Sequence, residues 1–131
     1  MPRQAIGPAG TLPDGTPNPI SPVVRAGDFL FVSGLMPKTA DGQMADGDIT
    51  MQTGVVMDRL AAVLVAAGCT LDDVVKCTVW LTDAADFKAF NAMYGSYFTD
   101  QPPARSALRS DLLLPGARLE LEAVCYRPMD I

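Results

Sequence analysis

Two alternating segments near the C-terminus, residues 104–109 and 118–126, constrain the fold of this chain more than any other feature. In the second, apolar side chains alternate with mostly polar ones, and the apolar row is Leu119, Leu121, Ala123 and Cys125. This period of two is typical of a strand with one buried face. The first segment places Arg105 and Ala107 on one face and Ser106 on the other, and loop-forming residues separate the two strands. If both strands lie in one sheet, an arginine and a glutamate can converge on one pocket.

The first half of the chain predicts a strand, a turn and a long helix. Residues 29–33 form an apolar strand, and the turn-forming stretch 37–42 leads to a weak return strand at 43–45. Asp48 is a suitable N-cap for a helix over residues 49–67, which Gly68 would end in a left-handed conformation. Apolar residues recur along this helix at the spacing of a buried stripe: Val56, Leu60, Val63, Leu64 and Ala67.

A second strand and a second helix follow. Residues 73–82 alternate as a strand, and its apolar face is Val75, Cys77, Val79 and Leu81. Asp83 would cap a helix over residues 84–98 with a mostly aromatic buried face. Asn91 interrupts that face, and a buried amide without partners costs about 1–3 kcal/mol. We therefore expect Asn91 to bond a neighbouring backbone carbonyl or, as the alternative, to contact a ligand.

The order of these elements predicts an α+β domain with both helices on one face of a mixed sheet. Residues 18–131 would form this single domain, and residues 1–17 a Pro/Gly-rich arm with a turn at Asp14 and Gly15. Several strands carry apolar groups on both faces. Because two helices cover only one face of a sheet, we expect oligomerisation to cover the other.

Composition excludes several classes of function. The chain has no histidine, which removes Ser-His-Asp and Cys-His catalysis and any His-ligated metal. Its three cysteines fit neither a disulfide framework nor a zinc cluster and are expected to be buried and reduced, as in a cytoplasmic protein. A net charge of -5 argues against nucleic-acid binding. The prolines of residues 1–22 do not suit a signal peptide, and the apolar run 60–67 is too short to span a bilayer.

Several short motifs, taken together, resemble the RidA/YjgF family of reactive-intermediate deaminases over about residues 18–127. They are Ala26-Gly27 before FLFVSG and LMP, Ala66-Ala67-Gly68 before LDDVVK, Asp86-Phe87 with Phe90-Asn91 and Tyr94, Pro103-Ala104-Arg105-Ser106, and Leu119-Glu120-Leu121-Glu122-Ala123. Each motif is weak by itself, whereas their order and spacing together are specific.

The resemblance implies a chorismate-mutase-like fold assembled as a homotrimer with clefts between subunits. It also implies hydrolysis of 2-imino or enamine acids to 2-keto acids and ammonia, without metal or cofactor. By the same resemblance, Arg105 binds the substrate carboxylate and Glu120 activates water. Ser33 and Gly34 would line the ligand pocket together with Asn91.

Two positions depart from the family pattern. Many members have tyrosine where this chain has Ile20, and cysteine where it has Ala107. Both residues are expected to line the substrate pocket and to make it more apolar, which bears on substrate preference. A pathway-specific enamine, of the 2-aminomuconate or aminoacrylate type, is therefore an alternative substrate.

The same residues also permit simpler interpretations. An arginine on a strand is most often solvated or ion-paired, and Glu120 could be an exposed sheet residue paired with Arg118 or Arg109. A non-catalytic ligand-binding or chaperone-like protein and an RNA-cleaving enzyme are the alternatives from other functional classes.

Overall fold

The computed structural model describes residues 2–129, so the outer ends of the predicted arm and domain lie outside it. Its strands and helices are β1 (Gln4–Ile6), β2 (Val23–Ala26), β3 (Phe29–Leu35), α1 (Ile49–Ala66), β4 (Val74–Leu81), α2 (Phe87–Gly95), β5 (Ala104–Arg109) and β6 (Leu119–Tyr126). The strands form one sheet in the order β1-β2-β3-β6-β4-β5. Only β4 and β5 pair in parallel, and the remaining pairs are antiparallel. The predicted α+β class with a mixed sheet is confirmed.

Helix α1 forms the centre of the core, as its sequence predicts. The Asp48 side chain accepts a hydrogen bond from the Met51 backbone N–H at 2.9 Å, and Gly68 ends the helix with a φ of +81°. Val56, Leu60 and Leu64 are fully buried between the sheet and α2, while the predicted Val63 and Ala67 are partly buried. By length and composition α1 could cross a membrane, but its apolar side packs into this core.

The N-terminal part contains more structure than the sequence patterns indicated. Strands β1 and β2 were not predicted, because each is too short to show a clear period. The turn at Asp14 and Gly15 is confirmed: the Gly15 N–H donates to the Leu12 carbonyl at 2.8 Å, and Gly15 has a φ of +87°. The expected return strand at 43–45 is reduced to one bridge between Lys38 and Met44.

Two predictions about the second half need correction. Asp83 accepts a hydrogen bond from the Ala85 N–H, but residues 84–86 form a 3₁₀ turn and α2 runs only from Phe87 to Gly95. Val75 is exposed, because a register shift between Val74 and Lys76 turns Val74 into the core instead.

Buried Gln52 joins α1 to two segments that are distant from each other in sequence, at residue 45 and at residues 116–118. Its Nε2 donates to the Ala45 and Gly116 carbonyls at 3.0 and 2.8 Å, and its Oε1 accepts from the Arg118 N–H at 2.8 Å. These bonds fix the start of β6, and with it the position of Glu120.

We expect Gln52→Met, which keeps the side-chain length but removes both polar ends, to lower the free energy of unfolding by about 3 kcal/mol or more. The reason is that three backbone groups would lose their partners, one in a buried contact and two in partly buried ones. Urea denaturation would measure the change. Exposed Gln4, changed to Met, is the control; equal stability of the two variants would show that the Gln52 network contributes nothing.

Candidate active site

Arg105 lies on β5 in a cradle of aromatic side chains from α2, which we call the arginine cradle. Its guanidinium carbon is 4.9 Å from the Tyr94 ring centroid, 5.5 Å from that of Phe87 and 5.7 Å from that of Phe90. The Arg105 Nη1 donates to Asn91 Oδ1 at 2.7 Å. Such contacts fix the plane of the guanidinium, and the planar fork is what recognises a carboxylate with two hydrogen bonds.

The charge of Arg105 is not neutralised by the chain. Within residues 2–129 the salt bridges are Arg118 with Asp86 and Arg127 with Asp73, and neither involves Arg105. Arg105 is half-buried and is held by the aromatic rings of the cradle and by the Asn91 amide oxygen. Its charge can therefore bind an external anion. The interpretation of Arg105 as an ion-paired strand residue is not supported by these contacts.

The polar groups beneath Arg105 stay neutral. Burial raises the pKa of the Cys77 thiol, and burial together with neighbouring Cys77 raises the pKa of the Tyr94 hydroxyl. Cys77 is consequently a protonated core thiol, because thiolate is the nucleophilic form. All three cysteines are free and buried, as predicted.

Asn91 differs from its predicted role. It is exposed on α2 rather than buried, so no desolvation cost applies, and its Oδ1 accepts from Arg105 rather than its amide donating to a backbone carbonyl. The side chain orients the arginine. Contact with a ligand, the alternative expectation, stays a prediction.

Glu120 lies on the opposite, uncovered face of the sheet, half-buried on β6. It neighbours Gly34 of β3 so closely that a Cβ built on that glycine would overlap Glu120 Oε2 and lie 3.1 Å from its Cδ. Burial raises the pKa of Glu120, and the adjacent Glu122 carboxylate raises it further. Arg118, its suggested partner, pairs with Asp86 instead, and Glu120 has no salt bridge among the described residues. A carboxyl of raised pKa suits proton transfer near neutral pH.

Gly34→Ala should move the Glu120 carboxylate without unfolding the protein. Only the far end of a flexible side chain meets the added methyl, and Gly34 does not need a positive φ. We expect a fall of about tenfold or more in any activity that uses Glu120, with little change in melting temperature, since small misplacements of a catalytic group are costly. Gly95→Ala, where an added Cβ also meets nothing within 4 Å and no positive φ is needed, is the matched control. Unchanged activity in Gly34→Ala would argue against a catalytic Glu120.

One chain does not bring Arg105 and Glu120 together. In the register of the sheet, Arg105 is opposite Cys77 and Glu120 is opposite Trp80. Because Cys77 and Trp80 are three residues apart on β4, their side chains point to opposite faces. The expected convergence of the two groups on one pocket does not occur within a single copy, although both strands do lie in one sheet.

The remaining residues predicted for the site line two separate cavities. Ala107 lies beside the arginine cradle at a small cavity of about 260 Å³ that Phe87 also lines. Ile20, Ser33 and Gly34 line a larger cavity of about 450 Å³ under the N-terminal arm. The Ser33 hydroxyl donates to the Ser21 carbonyl at 2.6 Å and so presents its lone pairs outward.

Two cationic residues of the larger cavity, Lys38 and Arg59, were not singled out from the sequence. By sequence each is an ordinary surface charge, one in a turn and one on a helix. The fold relates them through the Arg59 hydrogen bond to the Met36 carbonyl, two residues before Lys38. The aromatic residues of α2 were predicted as core, and their packing against Arg105 could not be inferred from helical spacing.

Comparison with known proteins identifies the relatives of this chain. Residues 15–127 match the family model described as Endoribonuclease L-PSP. A RutC family protein of Pyrococcus horikoshii is 39% identical over 118 residues, which cover 87% of this chain and 94% of that protein. The 3-aminoacrylate deaminase RutC of Acinetobacter baylyi is 34% identical over 130 residues, covering 96% and 99%. The crystal structure of E. coli TdcF with bound serine aligns with a TM-score of 0.83 at 28% identity, covering 95% of this chain and 98% of that one.

Proposed function

The chain belongs to the Endoribonuclease L-PSP family, to which the RutC and RidA proteins are related, and on that premise we propose that it is a cofactor-independent deaminase. Its substrates would be reactive 2-imino and 2-enamine acids, which it hydrolyses to 2-keto acids and ammonia. The observation that carries this proposal is the unneutralised Arg105 in its cradle, a site prepared for a small carboxylate.

Arg105 would bind the substrate carboxylate through its guanidinium fork, which also fixes the neighbouring imine carbon. Glu120, as the carboxylate, would accept a proton from water while the water oxygen forms a bond to that carbon. The same proton then passes to nitrogen as the C=N π bond opens, which gives the carbinolamine. Glu120 would next accept the carbinolamine hydroxyl proton and pass it to nitrogen, so that the C–N bond breaks and ammonia leaves as the keto group forms. One positioned acid–base accelerates such a step by about 10²–10⁴-fold, which suffices for a reaction that already proceeds in water.

The site would be completed by a second copy of the chain, because Arg105 and Glu120 face opposite sides of one sheet. We propose a homotrimer in which the cradle of one copy meets the Glu120 side of the next. The uncovered sheet face supports this assembly: Phe29, Phe31, Leu108 and Tyr126 are between 43% and 47% exposed there. A single chain would leave this apolar face in water.

Timing keto-acid appearance in a dehydratase reaction, with and without the protein, tests the activity. We expect faster release of 2-oxobutanoate from its imine, together with a trimer mass in light scattering. The proposal would be wrong if the protein did not accelerate keto-acid release from any 2-imino acid.

Two observations favour a pathway-specific substrate. The relative from Acinetobacter baylyi carries the name 3-aminoacrylate deaminase, and Ile20 and Ala107 depart from the family pattern. A panel that compares aminoacrylate and 2-aminomuconate with the imines of ordinary amino acids distinguishes the two. The family model's name also refers to RNA cleavage, but a net charge of -5 opposes binding to a polyanion.

The three buried free thiols fit a reducing compartment, and we propose that the protein is cytoplasmic.

A further inference from the structure

The cavity under the N-terminal arm, which we call the arm cavity, is positively charged although the chain is acidic overall. Its volume is about 450 Å³, within the range of small-molecule sites. Lys38 and Arg59 both line it, and no carboxylate does so among residues 2–129. Neither cation forms a salt bridge within those residues. Two positive charges that line one cavity without a counter-ion favour an anion in it.

Arg59 is held in place by the fold. Its Nη1 donates to the Met36 carbonyl at 2.6 Å, and its side chain is half-buried against the helix it belongs to. Burial lowers the pKa of Arg59, but a guanidinium stays charged at any physiological pH. Its remaining N–H groups are available to a ligand. Lys38 is also half-buried, and its side chain makes no hydrogen bond within the described residues.

The rest of the arm cavity suits the apolar body of a small molecule. Its walls include Ile6, Ile20, Val23, Leu35 and Val63, with the Ser33 hydroxyl as a polar group. The cavity therefore combines a mostly apolar lining with two cationic side chains. Ile20, Ser33 and Gly34, which the family resemblance assigns to the substrate pocket, also line this cavity, and Gly34 lies beside Glu120.

We infer that the substrate carries a second carboxylate, distant from the imine, and that Lys38 and Arg59 bind it in the arm cavity. This inference rests on the proposed deaminase function: Arg105 of one copy takes the carboxylate next to the reacting carbon, and the arm cavity of the next copy, which Gly34 beside Glu120 lines, takes the far one. The substrate class is thus a 2-imino or 2-enamine dicarboxylic acid, and the product a 2-keto dicarboxylic acid.

Calorimetric titration with two product-like acids tests this without requiring turnover. We expect 2-oxoglutarate to bind the full-length protein about tenfold more tightly than 2-oxobutanoate, the gain expected for one additional hydrogen-bonded ion pair. Lys38→Met should bring the ratio of the two dissociation constants close to one, and so should Arg59→Met. Lys88→Met, which removes the same charge from an exposed site on α2, should keep the tenfold ratio. Since Arg59→Met also loses the bond to Met36, Lys38→Met is the decisive variant.

The outcomes separate this inference from the proposed function. Equal affinity of the wild type for the two acids, or an unchanged ratio in Lys38→Met, would overturn the dicarboxylate site even if imines are hydrolysed. A clear preference for 2-oxoglutarate that Lys38→Met abolishes would support the site. If no imine were then hydrolysed, the deaminase would fail while the dicarboxylate site remained.

Discussion

Arg105→Ala is expected to lower kcat/KM for 2-imino acids by about 10²-fold or more, because truncating one partner of a hydrogen-bonded charge pair costs about 2–5 kcal/mol. Arg105→Lys should recover only part of the loss. Lysine restores the positive charge but not the planar fork, and it fits the cradle of Phe87, Phe90 and Tyr94 less well. Steady-state kinetics on the imine of 2-aminobutanoate would measure both variants.

The controls must separate a lost anion site from a damaged fold. Removing Arg105 also removes cation–π contacts, each of which contributes about 0.5–2 kcal/mol, so a modest fall in stability is expected. Thermal unfolding would report that fall, and Arg105→Lys should be less affected. Arg3→Ala, at an exposed arginine outside both candidate pockets, should retain full activity. A folded Arg105→Ala protein as active as the wild type would exclude the mechanism.

The helices and strands that could be predicted from sequence are those whose bounds are set by residues close to them in the chain. Strand β5 was predicted with its bounds, and α1 was predicted to within a residue, since caps and periodicity act over a few neighbouring positions. The face on which each residue of β6 lies also follows from simple alternation. Helix α2 was predicted too long, because residues 84–86 form a 3₁₀ turn before it, and Asp86 of that turn pairs with Arg118, a residue distant in sequence.

The order of strands in the sheet could not be inferred from local patterns. The sequence places β5 and β6 side by side along the chain, whereas β4 lies between them in space. That insertion, together with the register, decides that Arg105 and Glu120 face opposite sides. The family resemblance named both residues and implied clefts between subunits, but the placement of the two residues on opposite faces follows only from the register of β4 with its two neighbours.

The pH dependence of activity should be governed by Glu120. Its folded-state pKa is raised by burial and by Glu122, so protonation persists to a higher pH than in an ordinary carboxyl. Because the deprotonated form accepts the proton of water, kcat/KM should rise with pH through this raised value. The contribution of Glu120 to folding stability changes with pH in the opposite direction to kcat/KM. It is fully present below the pKa of this carboxyl in the unfolded chain and is lost as the pH rises through its pKa in the folded protein.

Glu122→Gln tests this assignment because it removes one named cause of the shift and leaves Glu120 in place. We expect the acidic limb of kcat/KM to move to lower pH, whereas Glu120→Gln should abolish that limb and lower the rate by about 10²–10⁴-fold. Asp72→Asn removes an exposed carboxylate near the far end of β4 and should leave the profile unmoved. An acidic limb that stays at the same pH in Glu122→Gln and persists in Glu120→Gln would assign proton transfer to another group. Burial alone would still raise the Glu120 pKa, but it would then have no catalytic consequence.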